Sequence, residues 1–319
     1  MLALQPVSLE EVRAARERIA GSAIRTPLVR LNAEAPAEIY LKLENLQPIG
    51  SFKLRGAGNA MALLSNEQLA KGVVTASAGN MAQGVAWNAR RLGIPCTVVV
   101  PDHAPEAKLA AIARLGGAII KKPRDEWWQV MRERHCQGVE GIFIHPFGDP
   151  AVMAGNGTIG LEILEDLPDV DAVIVPYGGG GLSCGIAAAV KVLKPDVKVY
   201  AAEVETAAPL APSLRAGSPQ TVTYTPSFVD GIGSGGLFEE MWPLVSQLLD
   251  GAFVSSLAEI AAALKLMIER NHVVAEGAGA ASVAAAIAGG AGYGKVVCVV
   301  SGGNIDSAKV AKILLGEAP

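Results

Sequence analysis

The chain has 319 residues, half of them hydrophobic and 18% charged, which excludes a disordered, charge-solvated polypeptide and favours two domains over one. The 27 basic and 31 acidic residues nearly balance, and no long run of either sign occurs, so nucleic acid is not an expected partner. Aromatics make up only 5% while glycine occurs 36 times, a mixture suited to tightly packed α/β layers in which the backbone makes close approaches.

In chain order, Ser8 with Glu11 reads as a capping box opening a helix that runs to about Ala20, and Thr26-Pro27 stops it. A βαβ rhythm follows. Strands are expected at Glu38 to Glu44, Gly72 to Ala76, Cys96 to Pro101, Ala118 to Lys121 and Ile142 to His145. Helices are expected after Ser51 and Asn80, near Glu106 to Leu115, and through Trp127 and Arg134. The second half carries continuous apolar runs at Ala172 to Pro176, Val197 to Ala202 and Val296 to Val300, the pattern of strands buried on both faces. Gly217 to Pro226 reads as an extended loop. The expected fold is α/β with two doubly wound open-sheet domains. A small domain of residues 48–146 is inserted into a large one made of 1–47 and 147–319, and a ligand is expected in the cleft between them. Cys96, Cys136, Cys184 and Cys298 are scattered without a CxxC pair, which argues against a zinc knot or a disulfide framework. The N-terminus lacks a basic region before an apolar stretch, and no run is apolar enough to span a bilayer. A cytoplasmic protein without a membrane partner is expected.

Four strings carry chemistry. In Pro176-Tyr177-Gly178-Gly179-Gly180-Gly181-Leu182-Ser183, consecutive glycines follow a buried strand and open a helix, so backbone N–H groups can curl around an anion; a flexible connecting loop is the bland alternative. The spacing is neither a dinucleotide fingerprint nor a Walker loop. In Gly50-Ser51-Phe52-Lys53-Leu54-Arg55-Gly56, a lysine sits at a helix start, where desolvation and positive potential lower an amine pKa; alone, Lys53 reads as a surface lysine, and in this company as a Schiff-base candidate. Thr75-Ala76-Ser77-Ala78-Gly79-Asn80-Met81 is a strand-to-helix turn able to hold a carboxylate, or simply a helix cap. Val300-Ser301-Gly302-Gly303-Asn304 puts a hydroxyl at the end of the last strand. Glu276, a carboxylate in an Ala/Gly run, lacks a structural explanation.

Together and in this order, these strings resemble fold type II pyridoxal-phosphate enzymes of the tryptophan-synthase β-like kind, in particular the threonine/serine dehydratase and serine racemase family, over about Thr26 to Asn304. The resemblance implies pyridoxal 5'-phosphate bound through Lys53, with Phe52 packed on its ring. It implies the phosphate on Gly178, Gly179, Gly180, Gly181 and Leu182, the 3-hydroxyl near Asn80, the pyridine nitrogen at Ser301, and Glu276 close to the cofactor. Ser77, Ala78, Gly79, Asn80 and Met81 would line the substrate carboxylate site. The implied activity is a dehydratase (ammonia-lyase) converting an L-β-hydroxy amino acid to a 2-oxo acid and ammonia. A racemase, a β-replacement synthase and a non-catalytic ligand-binding protein are the alternatives. Absence of an extension after Leu315 argues against the regulated biosynthetic dehydratases.

Departures from the family pattern are informative. Ala78 stands where racemases place a second acid/base serine, and Met81 where a histidine is usual. Trp127-Trp128 replaces an expected basic residue, and Gly233-Ser234-Gly235-Gly236 is poor in hydroxyls. These changes imply a more apolar, roomier site, open to an aryl-β-hydroxy substrate such as phenylserine, although the two tryptophans also read as plain domain cover. Relatives bind a divalent cation. Glu203 is the candidate ligand here, but Pro209 occupies the second ligand position. A homodimer is the family habit.

Overall fold

The computed structural model describes residues 4–319. Its ten strands are β1 (Leu28–Arg30), β2 (Glu38–Leu43), β3 (Val73–Ala76), β4 (Cys96–Pro101), β5 (Ala118–Lys122), β6 (Ile142–Phe143), β7 (Ala172–Pro176), β8 (Lys198–Val204), β9 (Gly251–Ser255) and β10 (Lys295–Val300). They form a six-stranded sheet in the order β1-β2-β10-β7-β8-β9 and a four-stranded sheet in the order β5-β4-β3-β6. All neighbours are parallel except β1 and β2.

The apolar runs form central strands because they feed a core on each face. Val173 and Val175 of β7 join one cluster of buried side chains, and Ala172 and Ile174 join the cluster on the other face. In β10, Val297 and Val299 alternate in the same way with Val296, Cys298 and Val300. The small sheet repeats the arrangement, with Val98 and Val100 of β4 on one face and Val99 on the other.

Two strands are additions to the sequence reading. β1 spans only three residues and pairs antiparallel at the sheet edge, and β9 has an irregular burial pattern at the other edge, so neither carries a period to detect. β6 is two residues long, shorter than the stretch expected to His145. The first helix, Leu9–Arg18, has the expected capping box: Ser8 N–H donates to the Glu11 carboxylate at 2.7 Å, and Glu11 N–H donates to Ser8 Oγ at 3.1 Å.

Part of the glycine excess is spent between helices. A methyl group at Gly155, in the helix Pro150–Asp166, would lie 2.5 Å from the Arg55 carbonyl, and one at Gly185, in the helix Gly181–Leu193, would overlap the Met153 carbonyl. The helices Lys53–Ala62, Pro150–Asp166 and Gly181–Leu193 therefore stack backbone against backbone. All four cysteines are buried and free. Among the described residues no helix is long and apolar enough to cross a membrane.

Candidate active site

The loops leaving β3, β7 and β10 converge. Phe52 N–H donates to the Ser301 carbonyl at 3.0 Å and Gly303 N–H to the Gly50 carbonyl at 2.9 Å, so the segment before Lys53 is stitched onto the turn after β10. Lys53 then opens its helix with its amine enclosed, 5.1 Å from the Phe52 ring centroid and donating to the Pro146 carbonyl at 2.7 Å. Burial pushes this amine down to about 8, and the Glu276 charge offsets part of the shift. A neutral, nucleophilic amine is thus accessible near neutral pH. His145, next to Pro146, is held neutral by burial and by the nearby charges of Arg134 and Lys53, its pKa falling to about 3. Its Nδ1 accepts the Gly148 N–H at 2.8 Å.

Asn80 and Glu276 face each other across the cleft. Asn80 Nδ2 donates to both carboxylate oxygens of Glu276 at 2.9 and 3.1 Å, and Asn304 Nδ2 donates to Asn80 Oδ1 at 2.8 Å, which fixes the Asn80 amide orientation. Burial drives the Glu276 pKa up to about 7, against the opposing Asn80 hydrogen bond. A carboxyl whose folded pKa lies above its unfolded value favours folding fully below the unfolded pKa and loses that advantage as pH rises through the folded one. Stability of the cofactor-free protein, relative to a Glu276→Gln variant, should therefore fall between pH 4.5 and about 7. The fall should be on the order of 3 kcal/mol at about 1.4 kcal/mol per pKa unit. Urea unfolding of both proteins across that window checks this; parallel curves would mean that Glu276 is ionised throughout.

The glycine loop after β7 has free donors. Tyr177 N–H pairs with the Ala202 carbonyl and Cys184 N–H with the Gly180 carbonyl, while the six amides of Gly178 to Ser183 between them have no hydrogen-bond partner among the described residues. Gly180 sits at φ +87°, which turns the chain into the helix. A side chain at Gly179 would collide with the Phe147 ring, and one at Gly181 would lie 2.6 Å from the Phe147 carbonyl. Unpaired amides at a helix start fit an anion such as a phosphate.

An aromatic run connects the turn after β3 to this loop. Trp127 Nε1 donates at 3.2 Å to the Val99 carbonyl, the same oxygen that accepts the Ser77 N–H at 3.1 Å. Trp128 packs on Trp127 at 5.1 Å between ring centroids and on Phe238 at 6.1 Å, and Phe238 packs on Phe147 at 4.4 Å. The run bridges the cores of the two sheets.

The fold thus gathers Phe52, Lys53, Asn80, Glu276 and Ser301, with Gly178, Gly179, Gly180 and Gly181 connected to them through Phe147 and Pro146. Ser77, Ala78 and Gly79 are half-buried at the turn after β3, and a methyl group at Gly79 would meet no protein atom within 4 Å. The side chains of two expected residues, Met81, 2% exposed, and Leu182, point into the cores. Glu203 is a cap, since its two carboxylate oxygens accept the Leu210 and Ala211 N–H groups, each at 2.8 Å. Among the described residues no group of three His, Cys, Asp or Glu side chains is arranged to hold a metal. Sequence reasoning did not single out Phe147 or Phe238, and it quoted Asn304 in the Ser301 string without giving it a role. Phe147 carried one signal, its place just after the last small-sheet strand, where α/β sheets put ligands.

Residues 19–302 match the family described as "Pyridoxal-phosphate dependent enzyme", and the chain belongs to that family. It is 43% identical over 315 residues to an L-threonine ammonia-lyase of Thermotoga maritima, covering 97% of this chain and 78% of that protein. It is 40% identical over 316 residues to the catabolic L-threonine dehydratase TdcB of Escherichia coli K12, covering 97% and 96%. Among solved structures, maize serine racemase superposes with a TM-score of 0.88 at 34% identity, covering 98% of each chain. The cofactor of the family is pyridoxal phosphate, and the free amides of the glycine loop and the enclosed Lys53 amine fit it.

Proposed function

We propose that this chain is a threonine/serine-type ammonia-lyase, which eliminates water from an L-β-hydroxy amino acid and releases an enamine that takes a water back on hydrolysis, leaving a 2-oxo acid and ammonia. The observation that carries this reading is the Lys53 amine, enclosed, lowered to about 8 and held by the Pro146 carbonyl beside a loop of unpaired amides. The names of the relatives at about 40% identity support it. Lys53 would hold pyridoxal phosphate covalently, with the amides of Gly178 to Leu182 on its phosphate, Phe52 against its ring, Ser301 at the ring nitrogen, and Asn80 and Glu276 on the 3-hydroxyl side. When bound, the cofactor supplies an electron sink for the pair left at Cα. Lys53 Nζ, once free and neutral, takes the Cα proton. The turn Ser77 to Met81 binds the substrate carboxylate through its N–H groups and the Ser77 hydroxyl, which orients the Cα–H bond toward Lys53. Ala78 offers no acid or base on the opposite face, which supports elimination over racemisation.

The finer reading concerns the side chain of the substrate. The run Trp127, Trp128, Phe238, Phe147 reaches from the neighbour of Ser77 to Gly179, and such an apolar wall favours a methyl or aryl group on Cβ over hydrogen. The test is a panel of L- and D-isomers of serine, threonine and phenylserine, read by 2-oxo acid and ammonia release. Threonine and phenylserine should exceed serine in kcat/KM. Equal rates would remove the role of the wall, and loss of chirality without oxo acid would replace the lyase by a racemase. The same reading divides the chain into a small domain of 48–146 and a large one of 1–47 and 147–319. It also carries a homodimer in the cytoplasm, the dimer being measurable by light scattering.

A further inference from the structure

Arg55 lies two residues beyond Lys53, about 200° around the helix at 3.6 residues per turn, and so points away from the amine. Its guanidinium is buried and gripped from two sides. Nε and Nη2 donate to the two oxygens of Glu44 at 2.8 Å each, and Nη1 and Nη2 to the two oxygens of Glu162 at 2.6 and 2.9 Å. Thr158 Oγ1 and the Ile24 carbonyl take the remaining bonds, at 3.0 and 3.2 Å. Lys42 completes the cluster, donating to Glu162 and to the Thr26 carbonyl at 2.6 Å each, while Thr26 Oγ1 donates to Glu44 at 2.6 Å. Two basic and two acidic side chains are thus buried together, with Asp166 at the rim 3.7 Å from Lys42 Nζ, tying the Lys53 helix to the turn after β2 and to the helix Pro150–Asp166. Close backbone contacts converge on the same turn: methyl groups at Gly84 and Gly155 would lie 3.1 and 2.5 Å from the Lys53 and Arg55 carbonyl oxygens.

We propose that Arg55 is a positioning residue for Lys53: the double carboxylate grip on its guanidinium sets the register and rotation of the helix turn from which the amine reaches the cleft. A buried charge cluster adds little net stability over apolar packing, but it specifies one arrangement, because each planar guanidinium bond has a fixed direction. The cofactor-bearing amine needs such a fixed origin, since a misplacement of about 1 Å can cost about 100-fold in rate. The inference rests on the assignment of Lys53 as the cofactor-bearing lysine.

The test is Arg55→Lys, which keeps the charge and loses the planar double grip. In cofactor-free protein, competitive acylation followed by peptide mass spectrometry reads the titration of Lys53. Its midpoint should move up from about 8 toward the ordinary 10.5 as the loosened turn admits water. In the loaded enzyme kcat should fall about 10- to 100-fold with KM changed less than about threefold, the pattern of a group that acts in the transition state only. A merely structural role would lower the melting temperature and leave both readouts at their wild-type values, and that result overturns the proposal. If Arg55→Lys fails to fold, Thr158→Val, which removes one acceptor on Nη1, decides on the same readouts: smaller shifts in the same direction support the proposal, and unchanged values overturn it. Borohydride reduction of the loaded wild-type enzyme separates the two levels of failure. Cofactor found on another lysine ends the underlying assignment, whereas cofactor on Lys53 with an unmoved midpoint ends the role of Arg55 alone.

Discussion

Lys53→Ala is expected to abolish turnover without weakening the fold. The loss should be at least about 10³-fold, since general-base catalysis alone contributes about 10²- to 10⁴-fold and the covalent link to the cofactor goes with it. The visible absorbance of bound cofactor should vanish, and borohydride reduction should leave no labelled peptide. The stability side is less intuitive. An amine whose folded pKa is about 8 against 10.5 unfolded penalises the folded state below pH 8, and the penalty disappears as pH rises from about 8 to 10.5. The magnitude is on the order of 3 kcal/mol at about 1.4 kcal/mol per unit. Cofactor-free Lys53→Ala should therefore be at least as stable as the wild type near pH 7, and the wild type should regain ground as pH rises through that window. Urea unfolding at several pH values with a 2-oxo acid assay measures both halves. Retained turnover would remove Lys53 from the site, and a large stability loss at pH 7 would mean that its amine is solvated in the folded protein.

The parts of this site that were legible in the sequence are those in which backbone does the work. Gly178 to Gly181, the turn Ser77 to Asn80 and Ser301-Gly302 each mark a place where amides must be exposed or a chain must come close, and glycine or a short polar residue is the only local solution. β7 and β10 were legible for a related reason, since a strand buried on both faces has few residue types to choose from. Side chains that act at a distance were not legible. Phe147 is an unremarkable aromatic until β6 delivers it against Gly179, and Asn304 joins Asn80 across 224 residues of chain. Met81 is the converse case: it stands beside Asn80 in the motif, and the helix turns its side chain into the core. Arg55, in the same motif as Lys53, was legible as a residue and illegible as a partner of Glu44 and Glu162, because neither acid lies in a motif.

Glu162→Leu is expected to give the largest stability loss of a single acidic-residue substitution in this chain. The Glu162 carboxylate is the shared acceptor of Lys42 Nζ and of two Arg55 nitrogens, in a site where Lys42 is 0% exposed. Without it, two buried cations face Glu44, with only the partly exposed Asp166 carboxylate, 3.7 Å from Lys42 Nζ, beside them. Burial works to raise the Glu44 pKa, yet Arg55 with Thr26 and Lys42 holds it below the ordinary value, so Glu44 is ionised and can compensate only one of them. Breaking a buried pair from one side costs about 3–5 kcal/mol. An exposed pair such as Lys121 with Glu106 is worth about 0.2–1 kcal/mol, so Glu106→Ala is the contrasting control. The double variant Lys42→Met, Glu162→Leu restores charge balance and should recover part of the loss, leaving Arg55 on Glu44 in a neutral pair. Urea unfolding of the two single variants and the double measures the coupling, expected at roughly 1–3 kcal/mol for directly touching groups. Additive losses would mean that water reaches Lys42 once Glu162 is gone. A positive coupling with a recovered fold would separate what the cluster does for stability, which an apolar pair can replace, from what its Arg55 arm does for the turn that carries Lys53.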